Sequence, residues 1–192
     1  MMISVINLAG KSFDELMGLF FCEVIEDDDF YDVIAGELAR DHRCALEVML
    51  PCLSNKRLRA GICGLGMVSS IDSQSTIKQF LNHEDDLIVA AAIDALRRIS
   101  PVEWPVISLQ SRHASPYVRG AALRYAKAAL GKEALPILMS FLHDKDSIVR
   151  EGAIDEMDGI ISVDEAHLIE PYLDDSDANV RLAAKALLDS FH

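Results

Sequence analysis

Apolar and polar positions along this chain follow a fixed rhythm, clearest in Asp146-Ser147-Ile148-Val149-Arg150-Glu151-Gly152-Ala153-Ile154-Asp155. The same order of acid, aliphatic anchor, arginine and paired small residues returns from Asp177 to Ala184. It also precedes, with a serine in place of the acid, from Ser115 to Ala122. Weaker copies run from Asp85 to Asp94 and from Asn55 to Ile62. The anchors Leu58, Ile88, Val118, Val149 and Val180 stand 30, 30, 31 and 31 residues apart. A constant period of that length predicts a stack of short supersecondary units, each burying its apolar side against the next.

Within a unit the pattern predicts two helices. The first is clearest in Leu135-Pro136-Ile137-Leu138-Met139-Ser140-Phe141-Leu142 and is matched around Trp104-Pro105 and by Ala166 to Leu173. Pro105 and Pro136 fall near helix starts, where the missing N–H costs nothing. Asp85, Asp146 and Asp177 precede the second helix, where a short carboxylate can cap free N–H groups and meet the positive end of the dipole. The second helix is expected from Val149 to about Ile161 and its equivalents. With the anchor as position 1, positions 4 and 5 are small, which permits close helix approach. Nothing alternates with strand periodicity. Upstream, residues 13–25 follow Ser12 and Glu15, a capping-box pair, and Phe30 to Ala39 resumes the helical pattern after Glu26-Asp27-Asp28-Asp29. Residues 1–42 are expected to be a degenerate capping pair.

The unit written from Leu135, Pro136, Leu142, Asp144, Asp146, Val149, Arg150 and Ala153 resembles the HEAT repeat in its short form of about 30 residues. The likeness covers residues 43–192 and is weaker at 72–99, where Val89 and Ser75 replace the arginine and the proline. It implies an all-α, right-handed α-solenoid of about five to six helical hairpins: one domain over 1–192, with five repeats in 43–192. It also implies a concave surface lined by the second helices, and that the recurring Arg59, Arg119, Arg150 and Arg181 bridge to turn aspartates, a task suited to arginine's fork.

Charge narrows the partners. Acidic residues outnumber basic ones 31 to 18, a formal charge of −13, so nucleic acid would be repelled and a basic protein attracted. No apolar run reaches the length of a membrane span, and the first ten residues lack the charge and cleavage pattern of a signal peptide. A cytoplasmic monomer is expected. Cys22, Cys44, Cys52 and Cys63 have no metal-ligand spacing and read as reduced, buried small hydrophobes.

Positions 3, 6, 7 and 10 of the second helix should face away from the core by the 100° step. They form a surface basic around Arg97, Arg124 and Lys127, and acidic around Glu151, Asp155 and Asp158, with Asp94 in the same unit as Arg97 and also a docking candidate. Ile93, Leu123, Ile154 and Leu182 would be apolar spots within it, the composition of a docking surface. The competing expectation is mutual neutralisation, Arg124 with Asp155 and Lys127 with Asp158. Asp28 and Asp29, in the densest acidic run, are a second docking candidate beside the plainer reading of a solvated turn. His83, His113 and, one place off, His143 recur at a turn, where polar turn roles fit better than metal binding. No nucleophile elbow, phosphate loop or metal signature is present, so neither catalysis nor a cofactor is expected. The reading is a protein-binding scaffold, in its concrete form an immunity protein that neutralises a bacterial toxin such as a nuclease. The alternatives are a HEAT-type adaptor or assembly factor, a chain resembling bilin lyases, or a DNA-repair glycosylase of HEAT type, whose basic groove the net charge argues against.

Overall fold

Ser12 opens the first helix with the expected capping box: its hydroxyl accepts from the Glu15 N–H (3.3 Å), and the Glu15 carboxylate accepts from the Ser12 N–H (2.8 Å). The computed structural model describes residues 8, 10–22, 28–53, 55–101 and 104–191, with the side chains of 28, 29 and 55 outside the described set. Every regular element among the described residues is helical. The chain divides into two units, Met1–Ser100 and Pro101–His192.

The first unit holds α1 (Phe13–Phe20), α2 (Asp28–Met49), α3 (Asn55–Val68), α4 (Gln74–Lys78) and α5 (Asp86–Ile99). α2 is two helices joined without a loop, bent where His42 leaves helical dihedrals (φ −134°, ψ 35°). α3 packs on both α2 and α5, and its glycines are the reason it can. A Cβ on Gly64 would stand 2.5 Å from the Ala35 carbonyl oxygen, and one on Gly66 2.7 Å from the Ala95 Cα. At the other end of α3, Arg57 donates to the Phe20 carbonyl (2.8 Å) and lies over the rings of Phe21 and Tyr31, which fastens α1 to the stack. A polar cluster that the repeat pattern does not announce joins α2 to the next turn: Glu47 accepts from buried Ser73 (2.5 Å) and from Arg43 (2.9 Å).

The second unit holds α6 (Trp104–Ile107), α7 (Pro116–Leu130), α8 (Leu135–Phe141), α9 (Ser147–Met157) and α10 (Ala178–Asp189). α9 packs against α7 on one side, α10 on the other and α8 behind it. Val118, Val149 and Val180 are all fully buried, so the anchors do occupy equivalent core positions. Burying each such side chain contributes roughly 1.5–3 kcal/mol. Each unit is thus a stack of helix pairs, the all-α solenoid packing that the period predicts.

Several local expectations are corrected. The second helix of the 146 unit ends at Met157 rather than near Ile161. Helix α1 stops at Phe20, short of residue 25. The stretch around Ala166 to Leu173 is a pair of 3-10 segments, Val163–Leu168 and Glu170–Asp174. Pro171, in its middle, has no N–H to donate and clashes with a continuing α turn. Asp146 stands at the N-cap of α9 but makes no side-chain cap, because its carboxylate accepts from Arg119 Nη2 (2.6 Å) instead. Of the cysteines expected to be buried, Cys44 and Cys52 are exposed and Cys22 and Cys63 are half-buried; burial pushes the pKa of the Cys63 thiol up to about 11.

Candidate functional site

The recurring arginines separate first, because their geometry is structural. Arg119 grips Asp144 with two prongs, Nε to Oδ2 and Nη2 to Oδ1 at 2.7 Å each, and its Nη1 donates to the carbonyls of His113 and Ala114. Arg150 repeats the arrangement one unit on, with Asp175 at 2.9 and 2.7 Å and the carbonyls of Asp144 and Lys145. Arg181 donates to the equivalent carbonyls, of Asp175 and Ser176. Each guanidinium therefore ties the turn before its own helix, and Arg119 and Arg150 reach the next turn as well. The acids respond accordingly. The Arg150 hydrogen bond holds Asp175 down to about 2, against the opposing effect of burial.

The histidine row is explained by the same turns. Asp144 and Asp175 each accept the backbone N–H two residues on, from Asp146 (2.9 Å) and Asp177 (2.8 Å). His83 and His113 perform this task with Nδ1, accepting from Asp85 (3.0 Å) and Ser115 (3.1 Å). They are turn residues standing where later units use aspartate. His143 is exposed beside the Tyr172 ring. No group of three or more His, Cys, Asp or Glu among the described residues could hold a metal ion.

What remains is the outer face of α9. Glu151, Asp155 and Asp158 fall at i, i+4 and i+7, on one side of the helix, and none of the three carboxylates makes a hydrogen bond or ion pair among the described residues. Burial, followed by the nearby charge of Asp155, raises the pKa of Glu151. Burial and then Glu156 raise that of Asp155, with Lys127 opposing. Asp158 stands at the C-terminal cap of α9, whose last turn carries no basic residue, so it faces the negative end of the dipole. The row is thus a set of carboxylates with little local compensation. Next to it, between α9 and α10, lies a cavity of about 180 Å³ with a floor of Ile154, Ala183 and Leu187 and with Asp155 and Asp158 at its edge.

That floor corrects the expected apolar spots. Ile93, Leu123 and Ile154 are fully buried, and of the four only Leu182 is exposed, at 64%. The 100° reading assumes one buried side, whereas α9 is covered on both flanks and behind, so position 6 joins the core. The neutralising pairs also differ. Lys127 meets Glu156 (3.3 Å) rather than Asp158, and the Arg124 guanidinium folds back over Gly120 of its own helix. Arg97 bridges to Asp94 on α5 (3.2 Å), in the first unit. The side chains of Asp28 and Asp29 lie outside the described residues. The structure therefore brings Glu151, Asp155 and Asp158 together and keeps Lys127 at their margin.

Comparison with known proteins agrees with this architecture. Residues 103–188 match the family model described as HEAT repeats. No curated protein sequence matches the chain. Among solved structures, the complex of CpcE and CpcF of phycocyanin lyase from Nostoc sp. is similar, with a TM-score of 0.59, 16% identity, and coverage of 96% of this chain and 79% of that one. The crystal structure of an engineered protein is similar at a TM-score of 0.51 and 15% identity, covering 91% and 95%. At such identities the likeness is one of fold. No described helix is long and apolar enough to cross a membrane.

Proposed function

Starting from a chain whose residues 103–188 match the HEAT-repeat family, we propose that this scaffold binds a basic protein on the outer face of α9 and acts as an immunity protein, holding a cationic toxin domain in a stoichiometric, inactive complex. The observation that carries the reading is the uncompensated row of Glu151, Asp155 and Asp158 beside an apolar-floored cavity. A lysine or arginine side chain suits it: the aliphatic stem lies on Ile154 and Leu187 while the charge meets Asp155 and Asp158. The net charge of −13 adds long-range attraction for the same partner.

The test takes the protein that co-purifies with the chain from its own cell and measures its affinity for wild type and for the E151K/D155K/D158K variant. Charge reversal should weaken binding by about a hundredfold or more, in line with the cost of opposed charges at an interface; unchanged affinity rejects this face. The immunity role requires in addition that the partner arrest growth when expressed alone and that the chain restore it. A chromophore lyase-like adaptor is the second reading, favoured by the fold shared with the phycocyanin lyase structure. It requires a coloured complex on mixing with a tetrapyrrole and its acceptor protein, and colourless recovery sets it aside.

A further inference from the structure

A second cavity in the second unit lies away from the α9 row, between the first helices of two successive repeats. It measures about 720 Å³ and runs from α6 and the 3-10 turn Ser108–Arg112 across to α8. Trp104, Leu109, Ile137 and Phe141 form an apolar and aromatic part of a lining that is otherwise polar, and Leu109 is 78% exposed. That volume falls within the range of sites that hold compact ligands or short chain segments.

Its polar groups are Arg112, Asp144, three serines and His143, whose ring lies beside that of Tyr172. Arg112 lines the groove and makes no hydrogen bond or ion pair among the described residues, in a protein where acids outnumber bases 31 to 18. The other charged group at the edge, Asp144, already has both oxygens engaged, by Arg119 and by the Asp146 N–H. The groove thus offers a cation and no free anion. The three serines of the wall each spend their one hydroxyl proton on a carbonyl three residues back: Ser108 on Pro105 (2.9 Å), Ser111 on Ser108 (2.6 Å) and Ser140 on Ile137 (2.6 Å). Their oxygens are left as acceptors only. A ligand that satisfies this wall must bring donors for the serines, an anion for Arg112 and apolar groups for the aromatic floor.

We infer that this groove is a second docking site, which takes an extended peptide segment carrying a carboxylate side chain between apolar ones. Backbone N–H groups serve the serine oxygens, the carboxylate pairs with Arg112, and apolar side chains cover Trp104, Leu109 and Phe141. A free aromatic carboxylate would satisfy Arg112 and the floor but leave the three serine acceptors without donors. The site is independent of the α9 face and selects the opposite charge.

Trp104 is the only tryptophan and lines the groove, so its fluorescence reports occupancy directly. The probe is an acetylated, amidated hexapeptide with one aspartate among leucine and phenylalanine residues, titrated beside its asparagine counterpart and beside phenylpropionate. The aspartate peptide should give a saturable change and bind about tenfold more tightly than the asparagine peptide, the scale of one charge-assisted contact. R112Q, at an exposed position, should keep the helical circular dichroism and bring the two peptides to equal affinity, whereas E151K/D155K/D158K should leave both unchanged. No saturable change, equal affinities in wild type, an R112Q variant that still prefers aspartate, or phenylpropionate binding as tightly as the peptide would each overturn the inference.

Discussion

Arg119 and Asp144 form a two-pronged ion pair in which both partners are nearly closed to solvent, with side-chain exposures of 6% and 10%. The pair joins the start of one second helix to the turn before the next, and the same guanidinium also satisfies two backbone carbonyls and Asp146. Such a contact ties successive repeats by registry rather than by apolar area.

Truncating either partner should therefore cost more than a surface pair would. R119A leaves a buried carboxylate and two carbonyls without donors, and about 3 kcal/mol of stability should be lost. D144A should cost a similar amount, and the double variant much less than the sum, because it removes the stranded charge. Urea unfolding of the four proteins at neutral pH measures the coupling. Additive losses would show that the two residues act separately.

Acid should act on the next rung. Asp175 is held at about 2 by Arg150, below the ordinary aspartate value of about 3.9. Its contribution is fully present above that ordinary value and is lost as pH falls through about 2. Wild type should therefore weaken between about pH 4 and pH 2 more steeply than R150Q, whose Asp175 titrates closer to the unfolded chain. The comparison is made on urea midpoints measured against pH.

Much of this was legible in the order of residues, and the exceptions share a cause. The anchors Val118, Val149 and Val180 fix the repeat because a fully buried position at constant spacing leaves a strong periodic mark. The acids Glu151, Asp155 and Asp158 were equally visible, since helical phase alone puts them on one side. Ile154 was misplaced because phase says where a side chain points and not how many neighbours surround its helix. Asp146 was expected to cap its own helix, a local rule, but the claim on its carboxylate comes from Arg119, 27 residues upstream. The cavity beneath Asp155 and the groove beside Trp104 are products of packing between repeats of the second unit, for which no single repeat carries a signal.

Close approach in the first unit gives a steric test. A methyl on Gly66 would sit 2.7 Å from the Ala95 Cα, a backbone atom that cannot turn aside. G66A should force α3 away from α5 and cost about 1–3 kcal/mol, although alanine is the better helix former. G18A, where nothing lies within 4 Å of the added methyl, should be neutral or stabilising. Thermal unfolding of the two variants separates the contributions.

The histidine turns predict a tolerated exchange. His113 accepts the Ser115 N–H as Asp144 accepts that of Asp146, so H113D should keep the turn and H113A should lose about 1 kcal/mol, the usual cost of a missing side-chain acceptor at a helix start. Zinc or nickel added to wild type should leave the midpoint unchanged, because the imidazoles serve the backbone. A metal-dependent rise in stability would refute the turn role.

The α9 face should trade stability for binding. Burial and the neighbouring Glu156 raise the pKa of Asp155 above the ordinary value, so at neutral pH the folded chain carries that charge at a cost which the unfolded chain escapes, and the cost shrinks as pH falls through the raised value and is gone below the ordinary one. D155N should then be slightly more stable than wild type at pH 7, by a few tenths of a kcal/mol at this exposed position, and the two should converge as the pH is lowered to about 4. The same substitution removes a carboxylate that a partner's cation would meet, so it should weaken the complex while strengthening the free protein. A stabilised D155N that binds with full affinity would mean that the charge has some use other than docking, and paired measurements of the unfolding midpoint and of partner affinity decide it.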